Sequence, residues 1–143
     1  LAYPKAKLLP STGVTEMRTL LRSLRRCDHA NVLTYLEGFE DTSQLYLMYE
    51  YFPCYTLRSV MEQQMWTQEQ IVNMIREMCA AVAFASTVNV VHLGFTFCHV
   101  LIPAASLQEG DPMLSKIFGF GLFGALYGDT GDHLCWAPEA LER

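Results

Sequence analysis

Val90-Val91-His92-Leu93-Gly94-Phe95-Thr96-Phe97-Cys98-His99-Val100-Leu101-Ile102 is the stretch on which the reading of this chain turns. Two apolar flanks enclose a short irregular piece that carries two histidines and a cysteine. Val100, Leu101 and Ile102 read as a short strand. Leu114-Ser115-Lys116-Ile117 offers it a partner across a polar, turn-rich insert from Pro103 to Pro112. Two chemistries suggest themselves from the residues alone. A metal could be held by His92, Cys98 and His99, but a zinc site needs four converging ligands and only three can be nominated. Cys98 and His99 could form a nucleophile–base pair. Neighbours on a strand point to opposite faces, which works against that pairing.

The remainder of the chain sets bounds on these ideas. Its 143 residues make one domain or a piece of one. It is 51% apolar and 17% charged, the composition of a globular, core-rich chain. A formal net charge of −5 argues against a nucleic-acid surface, which shows as a basic patch. Arg18, Arg22, Arg25 and Arg26 do cluster; they read first as a solvated helix face, and second as a phosphate or lipid site. The cysteines (Cys27, Cys54, Cys79, Cys98 and Cys135) are odd in number and widely spaced. That pattern predicts free thiols in a reducing, intracellular and most simply cytoplasmic compartment. No run of eighteen apolar residues is present, so no membrane span is expected. The first residue is Leu1 and not Met, so the chain reads as processed or incomplete.

Helices and strands follow from periodicity. Ser11 or Thr12 can cap a helix to about Arg26, with Val14, Met17, Leu20, Leu21 and Leu24 at helical spacing. Val32–Phe39 and Gln44–Tyr51 read as a hairpin joined through Glu40-Asp41-Thr42-Ser43. Thr67 with Gln70 forms a capping box for a helix to about Val88, whose apolar face is expected to hold Ile71, Met74, Ile75, Met78, Val82 and Ala85.

Taken in order, these segments resemble a protein kinase domain. The stretch from His92 resembles the family's catalytic loop, H-R-D-L-x-x-x-N. His92 stands at its His, Leu93 at its Arg, Gly94 at its catalytic Asp and His99 at its metal-binding Asn. Thr96 stands where many kinases carry a Lys. Phe118-Gly119-Phe120-Gly121 resembles the D-F-G motif, with Gly119 in place of the Asp while Phe120 and Gly121 are kept. Ala137-Pro138-Glu139 matches A-P-E. The first helix resembles the family's helix αC. Glu16 is there either the Glu that pairs with the phosphate-holding Lys or a first-turn Glu facing the helix dipole. Lys5 or Lys7 could be that Lys, or both are surface lysines. Glu50 to Leu57 resembles the hinge and the start of helix αD, with Tyr49 at the gatekeeper position, and the capped helix resembles αE. Asp28 to Leu47 looks most like the calcium- and calmodulin-dependent group.

The resemblance implies an α+β, partial protein kinase-like fold: the end of the N-lobe from helix αC, the hinge, and the upper C-lobe through the A-P-E-like segment. Residues 1–52 would be the N-lobe-like part and 53–143 the C-lobe-like part. Remnants of a nucleotide pocket would be Glu16, Tyr49, Glu50, Phe52, Leu101, Phe120 and Gly121. Ala137, Pro138 and Glu139 would be structural.

The departures from the family pattern carry the functional expectation. Phosphoryl transfer depends on positioning and on neutralising charge. Gly94 has no side chain to orient a substrate hydroxyl. Magnesium wants hard oxygen ligands, and Gly119 and His99 supply none. The expectation is therefore a catalytically inactive kinase-like domain, not an enzyme, with no metal and no cofactor, serving as a structural or scaffolding protein-interaction subunit of a larger assembly. One alternative is an allosteric pseudokinase that binds nucleotide without magnesium. The others are an atypical but active serine/threonine kinase and a thiol or histidine enzyme built on Cys98, His92 or His99.

Overall fold

In the computed structural model the described residues are 1–5, 14–63, 65–92, 94–107 and 114–121, with backbone alone for 14–16. They form two three-stranded antiparallel sheets and three helices. The first sheet is built from β1 (Ala2–Pro4), β2 (Tyr35–Glu40) and β3 (Gln44–Tyr49), in the order β1-β3-β2. Helix α1 (Val14–Arg25) lies between β1 and β2 in sequence. The second sheet is β4 (Cys54–Thr56), β5 (Val100–Pro103) and β6 (Lys116–Ile117), in that order. Between β4 and β5 run the single turn α2 (Leu57–Val60) and the long helix α3 (Gln68–Thr87). Ser11, Thr12 and the Ala137-Pro138-Glu139 motif lie outside the described residues.

The hairpin forms because alternate residues have somewhere to go. Leu45 and Leu47 turn inward and are buried, while Phe39 stacks on Tyr46 on the outer face at 4.9 Å. At the turn, Asp41 Oδ1 accepts the Ser43 and Gln44 backbone N–H groups, each at 2.7 Å, and the Tyr46 hydroxyl donates to Oδ2. These donors, Ser43 and Gln44 foremost, hold the Asp41 carboxyl down to about 2. The strand is shorter than its sequence suggests. Val32 and Leu33 leave the hairpin: Leu33 N–H donates to Ile117 O and Ile117 N–H to Asn31 O, both 2.8 Å. The segment before β2 is thereby tied to β6 of the other sheet.

Helix α3 carries the expected capping box: Gln70 N–H donates to Thr67 Oγ1 at 3.1 Å, and Thr67 N–H to Gln70 Oε1 at 2.9 Å. Its buried face differs from expectation. Met74, Ala81 and Ala85 are buried, whereas Ile71, Ile75 and Val82 are 40–48% exposed. The small residues Ala81 and Ala85 let the helix approach closely, so the contact face is rotated toward them and away from the larger β-branched side chains.

Two apolar clusters result. One gathers Leu24, Val32, Leu45, Leu47, Ala81, Ala85, Ile117 and Phe120 between α1, the first sheet and α3. The other packs Leu57, Val60, Met74, Val100 and Ile102 under α2. Among the described residues no helix is long and apolar enough to cross a membrane.

Candidate functional site

The segment at the centre of the sequence reading emerges directly from the end of α3. Asn89 sits in the left-handed region at φ 59°. Asn89 N–H bonds Ser86 O at 3.1 Å and Val90 N–H bonds Ala85 O at 2.9 Å. This is a Schellman stop, and Asn is one of the few residues besides Gly that tolerates it. The turn sends Val90 into the core and delivers His92 to the junction with residues 118–121. An Asn just past an apolar-periodic helix was a readable signal for that stop.

Three hydrogen bonds zip the two motif segments together. Gly121 N–H donates to Val91 O at 2.8 Å and Phe118 N–H to His99 O at 3.1 Å. His92 Nε2 donates to Phe118 O at 2.9 Å. That bond places the His92 proton on Nε2 and leaves Nδ1 buried without a partner. Burial holds the His92 imidazole below its ordinary pKa, and the bond to Phe118 offsets part of the effect. Its ring meets Phe120 at 4.9 Å and Phe95 at 5.2 Å, both edge to face. Phe120 itself is 2% exposed and belongs to the larger cluster.

Phe97–His99 is a short 3₁₀ turn, and the strand begins only at Val100. Cys98 and His99 are therefore not strand neighbours, which corrects the premise on which their pairing was judged. The start of the turn is closed by a capping box of two side chains. Thr96 Oγ1 accepts the Cys98 N–H, while His99 Nδ1 accepts the Thr96 N–H at 3.3 Å and meets Thr96 Oγ1 at 3.0 Å. His99 Nδ1 is thus engaged with Thr96 and not with the neighbouring thiol. Burial, reinforced by the nearby His92, lowers the His99 pKa to about 4, so both rings are neutral near pH 7. Among the described residues no three His, Cys, Asp or Glu side chains converge as a metal would require.

Gly119 lies against both rings. Its φ is +88°, and a Cβ built there would stand 3.0 Å from His99 Cδ2 and 3.8 Å from His92 Nε2. Position 119 is bare backbone, and the space next to it is occupied by imidazole carbon and nitrogen. Gly94 is buried nearby, and its N–H bonds His92 O. Leu93 lies outside the described residues.

At the hinge the sequence-nominated residues divide. Tyr49 is largely buried and meets the Tyr35 ring at 5.8 Å; its hydroxyl has no partner, and burial pushes its pKa up. Leu101 is 7% exposed on β5, paired with Thr56 and Lys116. The Glu50 side chain accepts Thr34 N–H at 2.8 Å and Lys116 Nζ at 2.7 Å. Burial works to raise the Glu50 carboxyl, but Lys116 and Thr34 together hold it below its ordinary value. Lys116 Nζ also stands 5.5 Å over the Phe52 ring. One cation therefore fastens β6 to both ends of Glu50-Tyr51-Phe52, a clamp that no local pattern at Lys116 announces. The Glu16 side chain and Lys7 fall outside the described residues. Lys5 pairs with Glu40 at 2.7 Å on the surface, which is the bland reading of that lysine.

These observations define a class, and comparison with known proteins agrees with it. The protein kinase domain family matches residues 6–140, and the chain belongs to that family, with an α+β, partial kinase-like fold. Among individual proteins, a probable myosin light chain kinase of Dictyostelium discoideum is 27% identical over 143 residues, 97% of this chain. The chain spans 39% of that relative's length.

Proposed function

We propose that this chain is a catalytically inactive kinase-like domain, a pseudokinase closest in pattern to the calcium- and calmodulin-dependent group, that serves as a protein-interaction subunit of a larger assembly. The observation that carries the reading is the meeting of His92, His99 and Gly119. Where the family places carboxylate and amide oxygens for magnesium, this chain has Gly119 and a neutral His99 whose ring packs edge to face on His92. Gly94 adds the loss of the group that would orient a substrate hydroxyl. Phosphoryl transfer needs charge neutralisation and positioning together, so these losses compound on one step. No cofactor is required for the interaction role.

Several features support the interaction role. Ile71, Val72, Ile75 and Val82 expose an apolar stripe on α3, and such patches mark contact surfaces. We place the division of the chain at the hinge, 1–52 and 53–143, because each part contains one of the two sheets. A reducing, cytoplasmic setting fits the free thiols of Cys27, Cys54, Cys79 and Cys98. Sedimentation of the native protein in a gentle cell extract tests the role. A heavy particle with this chain at fixed stoichiometry is expected. A light monomer would reject the subunit reading and promote the nucleotide-binding regulator in its place.

A further inference from the structure

The first sheet departs from the usual division of its two faces. An antiparallel sheet with one face on a core normally turns a polar face to water. Here Leu45 and Leu47 fill the inner face, and alternation sends Tyr46 and Met48 outward. In register, Phe39 stands opposite Tyr46 and Glu37 opposite Met48, while Ala2 of β1 flanks Tyr46 from the other side. The outer face therefore has an apolar centre. Phe39 is 53% and Met48 47% exposed, and the Phe39 and Tyr46 rings lie 15° from parallel as a flat platform. Leu36, at the bulge in β2, is exposed as well.

Charge marks both ends of this platform. Glu37 lies on one side of Phe39, and Asp41 lies on the other, where it takes the Tyr46 hydroxyl at 2.9 Å. The two acids are four residues apart, about 14 Å along a strand. Among the described residues Glu37 enters no ion pair, and no lysine or arginine occupies an outward register position of the sheet. Glu40 pairs in register with the inward Leu45 and takes Lys5 as its partner.

We propose that the outer face of the first sheet, from Glu37 to Asp41 across Phe39, Tyr46 and Met48, docks a basic amphipathic helix of a partner protein. A sheet with an apolar face buries it against another layer. Three strands span about 10 Å between their outer axes, the diameter of one helix. The apolar stripe of that helix would lie on Phe39, Tyr46 and Met48. Lysines or arginines about two to three turns apart beside the stripe would reach Glu37 and Asp41, and an arginine over the aromatic platform would gain a cation–π contact. Charge decides among the occupants. A second copy of this chain would bring its own Glu37 and Asp41 against the first, with no cation on either face. An anionic bilayer or a nucleic acid would meet the same carboxylates. The inference gives the interaction role a partner chemistry and rests on that reading.

The test is binding of the full chain, by fluorescence anisotropy, to a fluorescein-labelled amphipathic peptide of about eighteen residues with a leucine stripe flanked by lysine and arginine. The same peptide with glutamate at every basic position is the comparator. Binding of the basic peptide alone is expected. Phe39→Thr and Glu37→Lys should each weaken it about tenfold, and Glu37→Lys should improve binding of the acidic peptide. Ile75→Thr, an equal loss of exposed apolar surface on α3, should leave both unchanged. Circular dichroism and thermal unfolding confirm that the variants fold. Equal binding of the two peptides, or binding insensitive to Phe39→Thr and Glu37→Lys, would overturn the proposal. So would self-association of the chain that Phe39→Thr abolishes, which would give the face to a second copy. A heavy native particle from a chain that does not bind the peptide would keep the interaction reading and remove this face; a light monomer that binds it as described would do the reverse.

Discussion

His92 and His99 meet edge to face with ring centroids 4.9 Å apart, directly against the bare backbone of Gly119. His92 is anchored through Phe118 O and His99 through Thr96. Each ring is therefore fixed by the chain itself, and neither needs a bound ion to hold its orientation. Residues 92, 94–99 and 118–121 thus meet in a packed junction.

The first consequence is a pH dependence with a defined sign. His99 has its pKa lowered to about 4 by burial and by His92, and His92 is also lowered. In the unfolded chain both would bind protons near the ordinary histidine value, about 6.5. The unfolded state thus binds more protons across that window, and stability falls as pH falls from about 6.5 toward about 4. The urea midpoint at pH 7 and pH 5 measures this. His99→Asn should reduce the difference; an unchanged slope would mean the ring is not buried as described.

Gly119 should resist substitution. At φ +88° a side chain with Cβ costs about 1–2 kcal/mol, and the new methyl would press on His99. Gly119→Ala is expected to destabilise by at least that amount in urea unfolding, with part recovered when His99→Ala is added. Gly119→Asp should cost less backbone strain, since Asp tolerates the left-handed region better.

The clamp between Glu50 and Lys116 is partly buried, with side chains 30% and 11% exposed. Lys116→Met leaves the Glu50 carboxylate with Thr34 alone, and should destabilise by about 1–2 kcal/mol, between exposed and fully buried pairs. Glu50 has a lowered carboxyl pKa, so its contribution is present above the ordinary carboxylate value and lost as pH falls through the lowered one. Lys116→Met should move that loss to higher pH. A Glu50→Gln/Lys116→Met double-mutant cycle showing simple additivity would dissolve the clamp.

Thr67→Ala removes the side chain that accepts the Gln70 N–H at the start of α3. A loss of about 1 kcal/mol is expected, visible in the thermal midpoint. Gln70→Ala should cost less, because it leaves the N-cap bond from Gln70 N–H to Thr67 Oγ1 in place.

How far the sequence could be read depended on whether a feature was local. The α3 capping box, the hairpin and the pairing of Val100–Ile102 with the strand near Ile117 were legible because periodicity and cap chemistry lie within a few residues. The contact face of α3 was not: Ile71, Ile75 and Val82 look like core residues, but Ala81 and Ala85 won the close contact through what α3 meets elsewhere. The departures from the family's motifs at Gly94, His99 and Gly119 were visible as spacing. That His99 would turn onto Thr96 was not visible, because the 3₁₀ turn at Phe97–His99 replaces the expected strand. The Lys116–Glu50 contact joins residues 66 apart in sequence, and no pattern links them.

The most direct measurement is phosphoryl transfer from radiolabelled ATP with magnesium to the purified chain and to a generic protein substrate. The account predicts no incorporation above a heat-denatured control, because no side chain at positions 94, 99 or 119 supplies the oxygen that positioning and magnesium need. Turnover that copurifies with the chain, with a KM for ATP that moves on Leu101→Ala, would contradict it.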